Sequence, residues 1–370
     1  MDNVGKVVYY SGGEIPDELR SRITSIHIGP QVEDIPKETF EGCSNLTDVQ
    51  FAREGALKVI GACAFEGCTA LQQVSIPPSV TELGDGAFSG CSNLTDVQFA
   101  HDGVLQVIGN YAFCDCTALQ QVSIPPSVTE LGDGAFSGCS NLTDVQFAHD
   151  GALQVIGIYA FSFCTALQRV SIPPSVTELS WAFSGCSNLI EVILLGEGFL
   201  DLDHLGEAAL NKTKINKMFG PGLRAFRDCG LTTIKMELSQ CMARLPEECR
   251  RSVEGEIPDM HSLELSQDGS IFARFPVIRS SLGGMVVQDK NNQTAASLHR
   301  LLRLISFHEL KESSILTELA VWKSRIDQAA TPVPPEERSE YRVSIPDPAK
   351  CLIMEYCGFT GFLEPAIEGD

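Results

Sequence analysis

One block of text recurs three times in this chain and limits what it can fold into. Residues 91–138 read CSNLTDVQFAHDGVLQVIGNYAFCDCTALQQVSIPPSVTELGDGAFSG, residues 43–90 are nearly the same string, and residues 139–185 are a third copy. Each block divides into two units, marked by a phenylalanine and a cysteine three residues later: Phe40/Cys43, Phe65/Cys68, Phe88/Cys91, Phe113/Cys116, Phe136/Cys139, Phe161/Cys164 and Phe183/Cys186. The first five Phe-to-Phe steps alternate between 25 and 23 residues. A period of that size belongs to stacked repeats, in which one unit cannot bury its apolar side and only the array can.

Within a unit, Leu71, Val74 and Ile76 give the inward positions of a strand, because successive side chains alternate faces. Pro77 and Pro78 end it, since proline cannot donate to a ladder flanked on both sides. A second extended piece carries Val80 and Leu83 inward, Gly84-Asp85-Gly86 turns the chain, and Ala87-Phe88 returns an aromatic ring to the core. The expectation is an α/β solenoid, right-handed, with the strands side by side in one parallel β-sheet. Phe40, Phe65, Phe88, Phe113, Phe136, Phe161 and Phe183 would stack as a core spine at the strand spacing of about 4.8 Å.

The unit IPPSVTELGDGAFSGCSNL resembles the BspA-like leucine-rich repeats (leucine-rich repeat, type 5), and the resemblance spans residues 23–195. It implies a leucine-rich-repeat solenoid that works in binding or adhesion, with no catalytic position in the motif. Residues 1–22 read as an N-terminal cap whose Val7-Val8-Tyr9-Tyr10 pairs as a first strand. His27 falls on the outward face of the strand Ile23–Ile28, with no partner evident in the sequence.

After residue 195 the rhythm degrades. Ser180-Trp181 stands where the glycine turn stands in earlier units, and residues 199–217 suggest a short helix whose Asp201 and Asp203 only faintly echo a calcium loop. Residues 196–290 read as degenerate repeats and a capping region, with Phe226/Cys229 and Leu231-Thr-Thr-Ile234-Lys-Met236 as a worn unit. Leu245–Cys249 would continue it, and Leu263-Glu-Leu265 would be a last strand. Residues 291–370 form a C-terminal helical segment, with one apolar stripe at Leu298, Leu301, Leu302 and Ile305 and a second at Ile315, Leu316, Leu319, Trp322 and Ile326. Residues 331–335 are a proline-rich linker, and residues 348–356 suggest a short final helix. The helices either cap the last coil or form a separate partner-binding module.

A formal charge of −21 argues against a nucleic-acid backbone as partner. Residues 43–186 hold three basic residues, Arg53, Lys58 and Arg169, against 13 acidic ones, which suits a basic or neutral partner or simply a soluble surface. The N-terminus lacks the basic and apolar regions of a signal peptide, and no window approaches a membrane span, so a cytoplasmic protein is expected. Eight of the 14 cysteines fill the landmark slot, a place suited to a small, weakly polar free thiol. Stacked at that spacing they could also form a ladder of bridges in an oxidising compartment. Cys114-Asp-Cys116 lacks the second pair a zinc site needs. The sequons at Asn45, Asn93 and Asn141 each enclose an inward leucine, which accounts for them without glycans.

His101-Asp102-Gly103 and His149-Asp150-Gly151 resemble acid–base pairs, but the first copy has Arg53-Glu54-Gly55 in that place, so the motif is a polar turn. No catalytic residue, metal or cofactor is implied. The candidate contact surface is the outward, concave strand face: Asp48, Gln50, Gln73, Asp96, Gln98, Gln121, Asp144, Gln146 and Arg169, with serines between. Copies differ mostly around the Ala-Phe turn, at Ala62-Cys63, Asn110-Tyr111 and Ile158-Tyr159, so Tyr111 and Tyr159 are competing contact residues. The expected function is a non-enzymatic protein–protein interaction scaffold; the alternative is a cell-surface adhesion or recognition protein of the BspA-like type.

Overall fold

The computed structural model describes residues 6–195 apart from positions 53, 149, 178 and 180, then 224–238, 242–243, 245–266, 270–279, 285–287 and part of 293–308. The chain opens with β1 (Lys6–Tyr10), a single helical turn α1 (Asp17–Arg20) and β2 (Ile23–Ile28), then coils regularly. From β2 to β13, each coil supplies a longer strand, of four residues after β2, and then a two-residue strand. The four-residue series is β4 (Asp48–Phe51), β6 (Gln73–Ile76), β8 (Asp96–Phe99), β10 (Gln121–Ile124), β12 (Asp144–Phe147), β14 (Arg169–Ile172) and β15 (Glu191–Leu194). The two-residue series is β3 (Asp34–Ile35), β5 (Val59–Ile60), β7 (Glu82–Leu83), β9 (Val107–Ile108), β11 (Glu130–Leu131) and β13 (Val155–Ile156).

The two-residue strands form one unbroken parallel sheet, in the order β13-β11-β9-β7-β5-β3. The four-residue strands do not, which corrects the expectation of a single parallel sheet. Their parallel ladders are β1-β2-β4, β6-β8, β10-β12 and β14-β15. Bonded neighbours in the array lie 22 or 23 positions apart, as Arg169 with Glu191 and Gln73 with Asp96. Every break spans 25 positions, from Asp48 to Gln73, Asp96 to Gln121 and Asp144 to Arg169. The two additional residues sit in the polar turn after each Asp-bearing strand, where the other units have Pro-Pro. The wider turn offsets the strand that follows it from the one before, and no ladder forms.

The core is the stack of phenylalanines. Phe40, Phe65, Phe88, Phe113, Phe136, Phe161, Phe183 and Phe226 are fully buried, and successive ring centroids lie 5.0–5.6 Å apart. Tyr10 closes the N-terminal end, edge-on to Phe40 at 5.1 Å. The backbone binds the stack too: Phe65, Phe88, Phe113 and Phe136 donate their amides to Ala87, Ala112, Ala135 and Ala160 of the following coil, each at 2.7 Å. The landmark cysteine is the return link. Cys91, Cys116 and Cys139 donate their thiol protons to the carbonyls of Phe65, Phe88 and Phe113 in the preceding coil, at 3.2–3.3 Å. The described cysteines are free, and Cys43, Cys68, Cys91, Cys116, Cys139, Cys164, Cys186 and Cys229 are buried. A buried carbonyl without enough donors is costly, and this sulfur supplies one.

His27 has a partner after all: the Tyr9 ring stacks on it at 4.9 Å across β1 and β2. Beyond the array, Phe226 and Cys229 continue the stack and β16 (Thr233–Glu237) pairs parallel with β15. Residues 245–249 do not continue the repeat. Pro246 caps α2 (Glu247–Glu256), whose first turn carries Glu247 and Glu248 where the helix dipole favours negative charge. β17 (Leu263–Leu265) is a strand but not the last, because β18 (Ile271–Arg279) and β19 (Met285–Val287) follow it antiparallel. β18 reads as a strand on its inward Ile271, Ala273, Phe275 and Val277. Pro276 falls in the gap between the stretches of β18 paired with β17 and with β19. Residues 293–308 are helical where described, with Leu301 and Ile305 buried. The expected helix at 199–217 with its Asp201 and Asp203, Leu298, Leu302, the stripe from Ile315 to Ile326, the linker 331–335 and residues 348–356 all lie outside the described residues.

Two outcomes follow from this core. Phe136→Ala should lower the unfolding free energy by about 3–5 kcal/mol, as emptying a core aromatic does; a urea curve superimposable on wild type would contradict the spine. Burial pushes the Cys43 thiol up to about 11 and the Cys91 thiol up to about 12, from an ordinary value of 9.0. The folded chain therefore holds these protons more tightly than the unfolded chain. Stability from them is complete below pH 9 and lost as pH rises from 9 towards 12. Urea midpoints measured across that window should fall, and fall less in Cys91→Ala.

Candidate interaction surfaces

The four-residue strands place Val49, Val74, Val97, Val122, Val145 and Val170 in the core, so the residues on either side face outward. Asp48, Gln50, Gln73, Asp96, Gln98, Gln121, Asp144, Gln146 and Arg169 accordingly share one solvent-facing row. Gln73 stands opposite Asp96 and Gln121 opposite Asp144 in the ladders, which keeps carboxylates apart on adjacent strands. The row is bonded within itself. Gln50, Gln98 and Gln146 donate their amides to Asp48, Asp96 and Asp144 at 2.7–2.9 Å, Ser75 and Ser123 donate to Gln98 and Gln146, and Ser25 donates to Asp48. A partner lying there meets a pre-ordered polar network with no apolar anchor.

At the last ladder break the row opens into a groove of about 470 Å³ between β12 and β14, lined by Asp144, Gln168, Arg169, Ile190 and Glu191 among others. Here the character of the face changes. Arg169 pairs with Glu191 at 2.6 Å, Lys235 with Glu191 at 3.0 Å and with Glu264 at 3.7 Å, and Arg274 with Glu264 at 2.7 Å. Burial by itself would raise the Glu191 carboxyl, but the Lys235 ammonium and the Arg169 guanidinium outweigh it and hold the group below the usual carboxylate range. Arg169, Lys235 and Arg274 are thus committed to the chain's own acids.

A second surface runs along the Ala-Phe turns, whose left-handed positions the sequence marks only where they hold glycine. Each turn has two left-handed positions. The first is filled by Glu38, Cys63, Gly86, Tyr111, Gly134, Tyr159 and Trp181, with φ between 53° and 64°. The second is filled by Gly42, Gly67, Gly90, Asp115, Gly138, Phe163, Gly185 and Asp228. A side chain at such a position leans onto the next coil: a Cβ at Gly134 would run into the Tyr111 ring, and one at Gly185 would come within 2.8 Å of the Phe163 ring. Tyr159 instead meets Trp181, with ring centroids 6.1 Å apart. Tyr111, Tyr159 and Phe163 are 51%, 43% and 62% exposed. Non-glycine residues in this conformation cost about 1–2 kcal/mol each, and strain of that kind concentrates at functional surfaces. Variation among the copies singles out Tyr111 and Tyr159; Phe163 escaped the sequence reading, though a Phe standing in a glycine column was the available signal.

Other sequence features resolve into structure. Asn45, Asn93 and Asn141 donate their side-chain amides to carbonyls of the preceding coil, those of Ser21, Thr69 and Thr117, at 2.7–2.8 Å. His101 and Asp102 are exposed in a turn, while Arg53 and His149 lie outside the described residues. Among the described residues, no cluster of three or more His, Cys, Asp or Glu is placed to hold a metal, and no helix is long and apolar enough to cross a membrane.

The description "BspA type leucine rich repeat region" matches residues 19–105 and 101–198, in six copies. No curated protein matches the chain. Among solved structures, the chain is similar to a leucine-rich repeat protein of T. pallidum (24% identity, 59% of this chain and 99% of that one, TM-score 0.39). It is also similar to the pneumococcal vaccine antigen PcpA (23%, 52% and 50%, TM-score 0.37) and to a leucine-rich cell surface protein of Faecalibacterium prausnitzii (22%, 47% and 73%, TM-score 0.28). The chain spans about half the length of the pneumococcal antigen. With coils of 22 to 25 residues, a stacked Phe in each and a cysteine three positions on, residues 19–198 are a BspA-type leucine-rich repeat region.

Proposed function

We propose that this protein is a non-enzymatic scaffold that holds a protein partner on the surface of its solenoid. The observation that carries the reading is a division of labour along the coils. Inward positions build the core from coil to coil, while the strand row and the left-handed turn positions present polar and aromatic side chains to solvent. The acidic array, −10 over residues 43–186, favours a basic or neutral protein over a nucleic acid. We place its work in the cytoplasm. Landmark thiols that donate to Phe carbonyls function only while reduced, and the sequon asparagines are occupied as links between coils. Membrane insertion forms no part of this reading.

A second reading, surface adhesion or recognition, has the family of its repeats in its favour. It requires the chain to reach an oxidising space, where the thiol links would compete with bridges between neighbouring coils.

Asp96, Gln98, Asp144 and Gln146 face outward, so replacing all four by Ala leaves the core intact. In affinity capture with the full chain, that variant should retain at least about tenfold less partner if the partner lies on the row, the loss of one or two hot-spot contacts. Undiminished capture moves the contact to the turn edge. A full chain that retains no protein at all contradicts the scaffold reading.

A further inference from the structure

Arg227 shows what chemistry the turn edge accepts. Its guanidinium stands over the Trp181 ring, 5.3 Å from the centroid, and its Nε lies 3.4 Å from the Asp228 carboxylate. Trp181 fills the same left-handed position that Tyr111 and Tyr159 fill in earlier coils. Arg227 comes from the residue after the spine phenylalanine of the following coil. In the coils that follow Tyr111 and Tyr159 that residue is Ser137 and Ser184, so that position carries no cation there. Each tyrosine has a carboxylate in or against its turn: Asp115 is the second left-handed residue of the turn that holds Tyr111, and Asp133 accepts the amide of Ile158, the residue before Tyr159, at 2.7 Å.

We propose, resting on the scaffold reading above, that this edge is the docking site for an arginine- or lysine-bearing segment of the protein partner, whose cations lie on the Tyr111 and Tyr159 rings and pair with the adjacent carboxylates. Cations are drawn to aromatic faces, and Tyr with Arg is a recurrent interface pair. Charge complementarity selects this occupant. Residues 43–186 carry 13 acidic side chains and three basic ones, so a second copy of the chain would set acid against acid. The strand row of Asp48, Asp96 and Asp144 offers no aromatic face beside its carboxylates. The strained backbone at Tyr111 and Tyr159 fits a retained contact role, because glycine fills that position without strain at Gly86 and Gly134.

The test uses the full chain and a fluorescent peptide of alternating glycine and arginine, titrated by anisotropy at about 0.15 M salt, where the screening length is about 8 Å. The variant Tyr111→Gly with Tyr159→Gly keeps the net charge and places at both sites the residue the array itself uses, so it folds. It should bind the peptide about tenfold more weakly than wild type, the loss expected for two exposed cation–π contacts. Asp96→Ala with Asp144→Ala, which removes two charges from the row, should weaken binding less than about twofold, as screened surface charges do. Three results overturn the assignment. One is glycine-variant binding within twofold of wild type. Another is a larger loss in the row variant, which would mean generic attraction of a polycation to an acidic protein. Tyrosine-dependent self-association in sedimentation overturns it as well, giving the edge to a second copy. Each of these leaves the scaffold reading standing; that reading fails separately, when the full chain retains no partner in capture.

Discussion

The link on which this fold depends is the two-way bond between successive Ala-Phe turns. A phenylalanine amide donates forward to an alanine carbonyl, and a cysteine thiol donates back to a phenylalanine carbonyl. These bonds fix the rise per coil at the spacing of stacked rings, so polar satisfaction and aromatic packing enforce one geometry. That agreement explains why the Phe and Cys positions recur in register even where the turn residues beside them differ, as Cys63, Gly86, Tyr111 and Trp181 do. Serine at the cysteine slot would donate as well but would bring a more polar atom into a buried column; alanine would leave the carbonyl short of a donor.

Coil length acts on top of this link. Where the step is 22 or 23 residues, neighbouring four-residue strands form a ladder; where it is 25, they do not. The two-residue strands and the Phe–Cys links continue across every break, so the array stays in register while its strand face is divided into short ladders. The groove at Arg169 is one product of this division. Beyond it, β16 to β18 replace the open amide–carboxylate row with a closed network of ion pairs, a face that satisfies its own charges.

Much of this was legible in the sequence because it is periodic. The Phe/Cys columns, the inward Leu and Val positions and the outward Asp/Gln row follow from side-chain alternation alone. What escaped is not periodic. The breaks depend on a two-residue difference in turn length, whose effect on pairing no local pattern announces. Leu245–Cys249 looked like a repeat because its Leu and Cys fit the columns, but Pro246 followed by two glutamates starts a helix instead. β18 was hidden by Pro276, which a central strand would not tolerate except in the gap between two partners. The left-handed turn positions were visible as glycines; that Tyr111, Tyr159, Phe163 and Trp181 share that backbone could be seen only once the coils were aligned in space.

The central claim is that the Phe turns lock the coils into one cooperative unit, and native-state hydrogen exchange examines it most directly. The amides of Phe65, Phe88, Phe113 and Phe136 each donate to the next coil. They should be among the slowest to exchange and share one opening free energy, while amides of the exposed turns near His101 exchange fast. Phe amides that exchange as fast as those turns, or with free energies that differ coil by coil, would contradict the account.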